Sequence, residues 1–157
     1  MYPNLTVYQA LEYLGTLSGL EPARLQRRIQ AVLRQVNLQE HAHKKVKALS
    51  GGMLRRLGVA QALLHDPPVL IVDEPTAGLD PEERVRLRGL LGQLANNGKT
   101  VVFSTHIASD IEAACNAIAI LDSGRLRYQG TVAALCRATG TQNLEQATLA
   151  CVHGGGR

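Results

Sequence analysis

The chain has 157 residues, 45% of them hydrophobic, enough for one domain with a real core or slightly more and too apolar for a disordered segment. Lysine and arginine outnumber aspartate and glutamate by 17 to 13, but the +4 charge is spread along the chain and aromatic residues are only 3%, which argues against a nucleic-acid module. Cys115, Cys136 and Cys151 are widely spaced without a CxxC, so neither a disulfide framework nor a zinc site is indicated, and no apolar run approaches the roughly 20 residues of a membrane crossing.

The opening MYPNLTVYQ lacks the basic segment and apolar core of an export signal, so a reducing, cytosolic setting is expected. Thr6 to Gln9 fits a capping box, and Val7, Ala10, Leu11, Leu14 and Leu17 form one apolar stripe of a first helix that stops near Gly19. A second helix opens near Pro22, with Leu25, Ile29, Val32, Leu33 and Val36 on one face. His41 to Lys47 reads as a polar surface connection. Ser50 is the natural N-cap of a third helix running to about His65, which Asp66-Pro67-Pro68 then breaks. Val69 to Val72 reads as a strand buried on both faces.

Asp80 caps the next helix, with Pro81 in its first turn and an end at Asn96-Asn97-Gly98. Thr100 to Ser104 is a second buried strand, Ile107 to Asn116 a short helix, and Ala117 to Leu121 a third strand. Asp122 to Arg125 turns the chain into a hairpin partner over Leu126 to Gln129, Thr131 caps a last helix to about Ala138, and the glycine-rich end reads as a loose tail. Strand, helix, strand, helix, strand is the rhythm of a parallel sheet with crossover helices, whose sites gather at the carboxyl ends of the strands. That rule places Asp73-Glu74 and Thr105-His106 on one edge.

The rest of the chain supports one stretch, Leu49 to Asp80, LSGGMLRRLGVAQALLHDPPVLIVDEPTAGLD. At Ser50-Gly51-Gly52 the glycines let backbone amides approach a phosphate, and the positive end of a helix favours negative charge. Asp73 can hold magnesium, a hard ion that takes oxygen ligands and is shared with substrate phosphates, while Glu74 can orient or deprotonate an attacking water. Taken alone, an acidic pair at a strand end is a solvated turn and Ser-Gly-Gly an ordinary cap. Their order and spacing, closed by the Gly78-Leu79-Asp80 turn, favour a nucleotide site. Gly98-Lys99-Thr100 imitates the end of the phosphate loop GxxxxGK[ST], but Gly92 leaves five residues between the glycines, and a helix ends there where one should begin. Gly98 is better read as a left-handed helix terminator.

These motifs resemble the ATP-binding cassette family, the ATPases of ABC transporters. LSGGM resembles its signature motif, with Met53 in place of the usual glutamine; VLIVDE resembles its Walker B strand, AGLD its D-loop, and Ser104-Thr105-His106 its switch histidine. The match runs to about Ala134. It implies an α/β, P-loop NTPase-like parallel sheet with crossover helices plus a helical signature subdomain: residues 1–65 helical, 66–138 the catalytic-core portion, 139–157 a C-terminal tail. It further implies ATP and Mg2+ as cofactors, Asp73 as the metal ligand, Glu74 as general base and His106 at the γ-phosphate. Ser50, Gly51, Gly52 and Met53 would serve a nucleotide held by a second ATP-binding subunit, identical or not, with Asp80 at the dimer seam.

By the same resemblance the chain works with a transmembrane permease, peripheral on the cytoplasmic face, and no nucleic acid is expected. The Tyr2 to Thr6 opening and LSGGMLRRLG look most like exporters of drugs, lipids or polysaccharides. The phosphate loop and the Q-loop glutamine would lie upstream of Met1, so the chain resembles a C-terminal portion of a cassette, expected to turn over little ATP alone and to aggregate or need a partner. The alternatives are a catalytically incomplete fragment or regulatory half-domain, and a non-transport ATPase of the same superfamily.

Overall fold

A computed structural model describes residues 2–153 and divides the chain into two compact units after Ser104. The first contains α1 (Val7–Leu17), α2 (Pro22–Gln35), two single turns of 3-10 helix, α3 (Gly51–Ala62), β1 (Val69–Val72), α4 (Pro81–Asn96) and β2 (Thr100–Phe103). The second contains α5 (Ala108–Ala114), β3 (Ile118–Asp122), β4 (Arg125–Gly130), α6 (Val132–Thr139) and α7 (Leu144–His153).

In the first unit the predicted caps form. Gln9 N donates to Thr6 Oγ1 at 3.1 Å while Thr6 N donates to Gln9 Oε1 at 2.9 Å, the reciprocal pair of a capping box. Ser50 Oγ accepts from Met53 N at 3.2 Å at the start of α3, and Asp80 Oδ1 accepts from Glu83 N at 2.9 Å at the start of α4. α3 ends at Ala62, earlier than expected, because the chain must already turn before the two prolines. Gly98 has φ +87°, which confirms it as a left-handed terminator rather than part of a phosphate loop. The lysine beside it is engaged as well: Lys99 Nζ donates to Asp66 Oδ1 and to Pro67 O, both at 2.7 Å.

One apolar cluster joins Val7 and Leu11 of α1, Ile29 and Val32 of α2, Leu57, Ala60 and Leu63, Leu70 of β1, and Leu87, Leu91 and Leu94 of α4. β1 and β2 pair in parallel, Val69 with Thr100 through Val72 with Phe103, with α4 as their connection. Alternation then puts Leu70, Val72, Val101 and Phe103 on the face packed against the cluster, and Val69, Ile71 and Val102 on the other. The expected burial on both faces is therefore corrected. Leu70 is 2% exposed but Ile71 is 77%, because no layer of the first unit's described residues covers the second face.

The third strand brings a second correction, to its expected place in the parallel sheet, while the expected hairpin forms. β3 does not join the parallel pair but forms an antiparallel hairpin with β4 through the turn at Ser123 and Gly124, both at positive φ. The tight turn and the short chain between the two strands favour this pairing. Thr131 caps α6 as expected, its Oγ1 accepting from Ala134 N at 3.2 Å. Residues 144–153, read from sequence as tail, form α7 instead, and Leu144 and Ala147 bury against Ile118 and Leu135. Its N-terminal signal is Asn143, whose Oδ1 accepts from Gln146 N at 3.0 Å. The expected loose glycine-rich end lies outside the described residues.

Candidate functional site

Because β1 and β2 run in parallel and in register, the residues that follow them leave the sheet at the same edge. Asp73 and Glu74 follow β1, and Ser104 follows β2 with its N–H on Val72 O at 3.1 Å. The Ser104 hydroxyl holds this edge together: its Oγ donates to Asp73 Oδ1 at 2.5 Å and accepts from Glu74 N at 2.8 Å. In the sequence Ser104 reads only as the end of the second strand and the start of Ser104-Thr105-His106. Its bracing role depends on strand register, which no local pattern reveals.

Glu74 has φ +44°, a left-handed backbone that a residue with a Cβ adopts at a cost of about 1–3 kcal/mol. The bond to Ser104 and the turn bond from Ala77 N to Glu74 O at 3.2 Å hold it there. The twist separates the two neighbouring carboxylates: Asp73 is exposed and Glu74 half-buried. Gly78 at φ +73° then completes the turn to Leu79 and Asp80.

The start of α3 is a second group of functional atoms in this unit. Ser50 is extended, both it and Gly51 are exposed, and the first amides of a helix have no partner inside it. Met53 differs, since its N–H is taken by Ser50 Oγ and its side chain packs against the core. Gly52 is buried under α4, where an added Cβ would lie 2.1 Å from Glu83 Oε2. An added Cβ on Gly51 would have Leu79 at 3.8 Å as its nearest neighbour. The Ser50 turn and the Leu79-Asp80 turn are therefore adjacent. Arg56, buried one turn further along α3, has Nη2 3.6 Å from Glu83 Oε2 and donates Nη1 to the carbonyls of Val36 and Asn37 at 3.2 Å each.

His106 belongs to the second unit. It precedes α5, where Ile107 N donates to Thr105 Oγ1 at 3.0 Å, and it lines a cleft of about 560 Å³ with Ser109, Glu112, Asn143 and Glu145. Among the described residues no group of three or more His, Cys, Asp or Glu could hold a metal, so an ion at Asp73 would complete its shell from a ligand or water. A carboxylate oxygen suits magnesium, a hard ion that takes oxygen ligands. No helix among the described residues is long and apolar enough to cross a membrane.

Comparison with known proteins gives a consistent result. The family described as ABC transporter matches residues 1–77. The linearmycin resistance ATP-binding protein LnrL of Bacillus subtilis is 36% identical over 153 residues, covering 98% of this chain and 49% of that protein. The Nod factor export ATP-binding protein I of Cupriavidus pinatubonensis is 41% identical over 128 residues, 82% of this chain and 39% of the relative. The chain thus spans about half the length, or less, of these relatives. A solved ATP binding subunit of an ABC transporter superposes with a TM-score of 0.77 at 29% identity over 96% of this chain and 64% of its own. CbiO1 of Clostridium perfringens, part of the transporter complex cbiONQ, gives 0.74 at 29% over 82% and 51%. The fold is the P-loop NTPase-like α/β fold expected from the sequence.

Proposed function

We propose that the chain, whose residues 1–77 match the family described as ABC transporter, is part of an ATP-hydrolysing subunit that drives transport through a separate membrane permease. The observation that carries this reading is the Ser104 hydroxyl bridging Asp73 and the Glu74 amide at the carboxyl edge of the parallel pair. A solvated acidic turn needs no such brace and no left-handed glutamate. The relatives named for linearmycin resistance and Nod factor export support an exporter.

Magnesium-ATP, when bound, supplies an electrophilic γ-phosphorus whose oxygens the metal neutralises. Asp73 would hold the metal through carboxylate oxygen, oriented by the Ser104 O–H. Glu74 would orient a water and accept its proton at the carboxylate as the water oxygen bonds to phosphorus and the bond to the leaving ADP oxygen breaks. His106 would contact the γ-phosphate.

The Gly51 and Gly52 amides and the Ser50 hydroxyl, on a positive helix end, would contact the γ-phosphate of a nucleotide held by a second ATP-binding subunit, the same chain or another. Met53 would shape that turn, and Asp80 would stand at the seam. In this division residues 1–65 present the Ser50 turn, 66–138 carry the catalytic-core portion and 139–157 lie outside both. The subunit would be peripheral on the cytoplasmic face.

The pattern GxxxxGK[ST] occurs nowhere in the 157 residues, so the isolated chain is expected to turn over negligible ATP. The natural gene product, with any residues its gene encodes before Met1, is expected to hydrolyse ATP and to lose about 10²- to 10⁴-fold in kcat on Glu74→Gln. Undiminished turnover in that variant would overturn the assignment of Glu74. An inactive natural gene product would favour a regulatory or incomplete half-domain.

A further inference from the structure

The ion pair between α3 and α4 is not accounted for by the roles above. Glu83 carries three contacts at once: its N–H is the capped amide of Asp80, its Oε1 accepts from Arg86 Nη1 at 3.1 Å, and its Oε2 faces Arg56. The same oxygen occupies the space a side chain on Gly52 would need, with Cδ and Cγ at 2.5 and 2.7 Å from the hypothetical Cβ. Both partners are largely withdrawn from solvent, Glu83 to 15% and Arg56 to 10% side-chain exposure. Arg56 is fixed in turn by the Val36 and Asn37 carbonyls at the end of α2.

We infer that Glu83 is a positioning residue: its carboxylate, held by Arg56, is the spacer between the Gly51-Gly52 amides and the Asp80 turn. The argument is geometric. Gly52 is at the second position of α3 and Glu83 in the first turn of α4, so the carboxylate between them sets how closely the two N-terminal turns approach. The charge on Arg56 keeps Glu83 against Gly52 rather than free to swing to water. Residues of both turns are assigned to the nucleotide seam, so this inference rests on the ATPase reading of that site. An error of about 1 Å in such a spacing costs on the order of 10²-fold in rate when it misplaces groups that act on the transition state.

The test uses kcat, KM for ATP and melting temperature of the natural gene product. Glu83→Ala is expected to lower kcat by about tenfold to a hundredfold with little change in KM, because the nucleotide is held mainly elsewhere. Glu83→Gln fills the same space and should recover most of kcat; Glu83→Asp keeps the charge but withdraws from Gly52 and should behave like alanine. Gly52→Ala pushes Glu83 off Arg56, so adding Glu83→Ala to it should cost less than twofold more, a non-additive pair.

A kcat for Glu83→Ala within about twofold of the parent, or multiplicative losses in the double variant, would overturn the inference while leaving the ATPase reading intact. If the parent itself does not hydrolyse ATP, the ATPase reading fails instead. The Gly51 and Gly52 amide resonances of the chain then decide separately: they move in Glu83→Ala and stay near the parent in Glu83→Gln if the spacer is real, and unmoved resonances in Glu83→Ala overturn it.

Discussion

Two parts of the first unit differ in how their apolar residues are covered. α3 buries Leu57, Ala60 and, just beyond its end, Leu63, all at 0% exposure, beneath α1, α2 and α4. The β1–β2 pair buries one face on α4 and leaves Val69, Ile71 and Val102 at 47%, 77% and 51%. Hydrophobic residue type says what a segment can bury. Whether a layer is there to bury it against is a property of the whole fold, and parallel strands ordinarily have both faces covered.

The largest effect that separates the two parts is expected at Leu57. Replacing it with alanine removes a fully buried side chain from between helices that are themselves braced, so the site collapses only partly and stability falls by about 2–5 kcal/mol. Urea unfolding of the chain, followed by helical circular dichroism, measures it. A loss below 1 kcal/mol, well under the core range, would show that α3 is no better packed than the sheet.

A smaller effect is expected where the two parts join. Asp66, at φ +54° between α3 and β1, accepts from Lys99 and has Arg28 Nη2 at 3.5 Å, while Arg28 also donates to Leu63 and Leu64 carbonyls at 2.6 and 3.0 Å. The Lys99 hydrogen bond holds the Asp66 carboxyl below the ordinary aspartate range against an opposing desolvation, with the charge of Arg28 adding to the lowering. A depressed folded value means that this stability is present above the unfolded value of about 3.9 and is lost as pH falls through the lower folded one. Asp66 is 54% exposed, so screening limits the pair to under about 1 kcal/mol. Lys99→Met should therefore lower the melting temperature at pH 6 and leave it nearly unchanged at pH 2; an equal loss at both would show that the lysine stem, not its charge, ties the junction.

Local chemistry made much of this legible beforehand. The Thr6, Ser50, Asp80 and Thr131 caps, the Gly98 terminator and the β3–β4 turn are decided by residues within a few positions of each other, and all formed. The meeting of Asp73-Glu74 with Ser104 is the part of the expected edge that lies within the first unit, and it followed from the parallel rule; Thr105 and His106 belong to the second unit. What escaped notice depends on distant parts meeting: Ser104 reaching Asp73 across a gap of 31 residues, Glu83 filling the space over Gly52, and the uncovered face of β1. α7 escaped for a different reason, since its apolar residues Leu144 and Ala147 are too few to make a stripe before Ile118 and Leu135 are known to receive them.

The smallest effect is expected at Ile71, and it tests the comparison most directly. Its neighbour Leu70 points into the core and Ile71 away from it, so the two differ by one step of the pleat and by the whole of their burial. Ile71→Thr keeps the β-branch that favours the extended backbone and removes apolar surface that already meets water. Unfolding free energy should change by no more than about 0.5 kcal/mol, as for other exposed substitutions. The gain should instead appear in solubility, because an apolar face beside open strand edges invites association of chains. Light scattering on warming, compared between parent and Ile71→Thr, reads that gain. A stability loss approaching that of Leu57→Ala would mean that Ile71 is buried in solution, by self-association if the loss grows with protein concentration and within the chain if it does not.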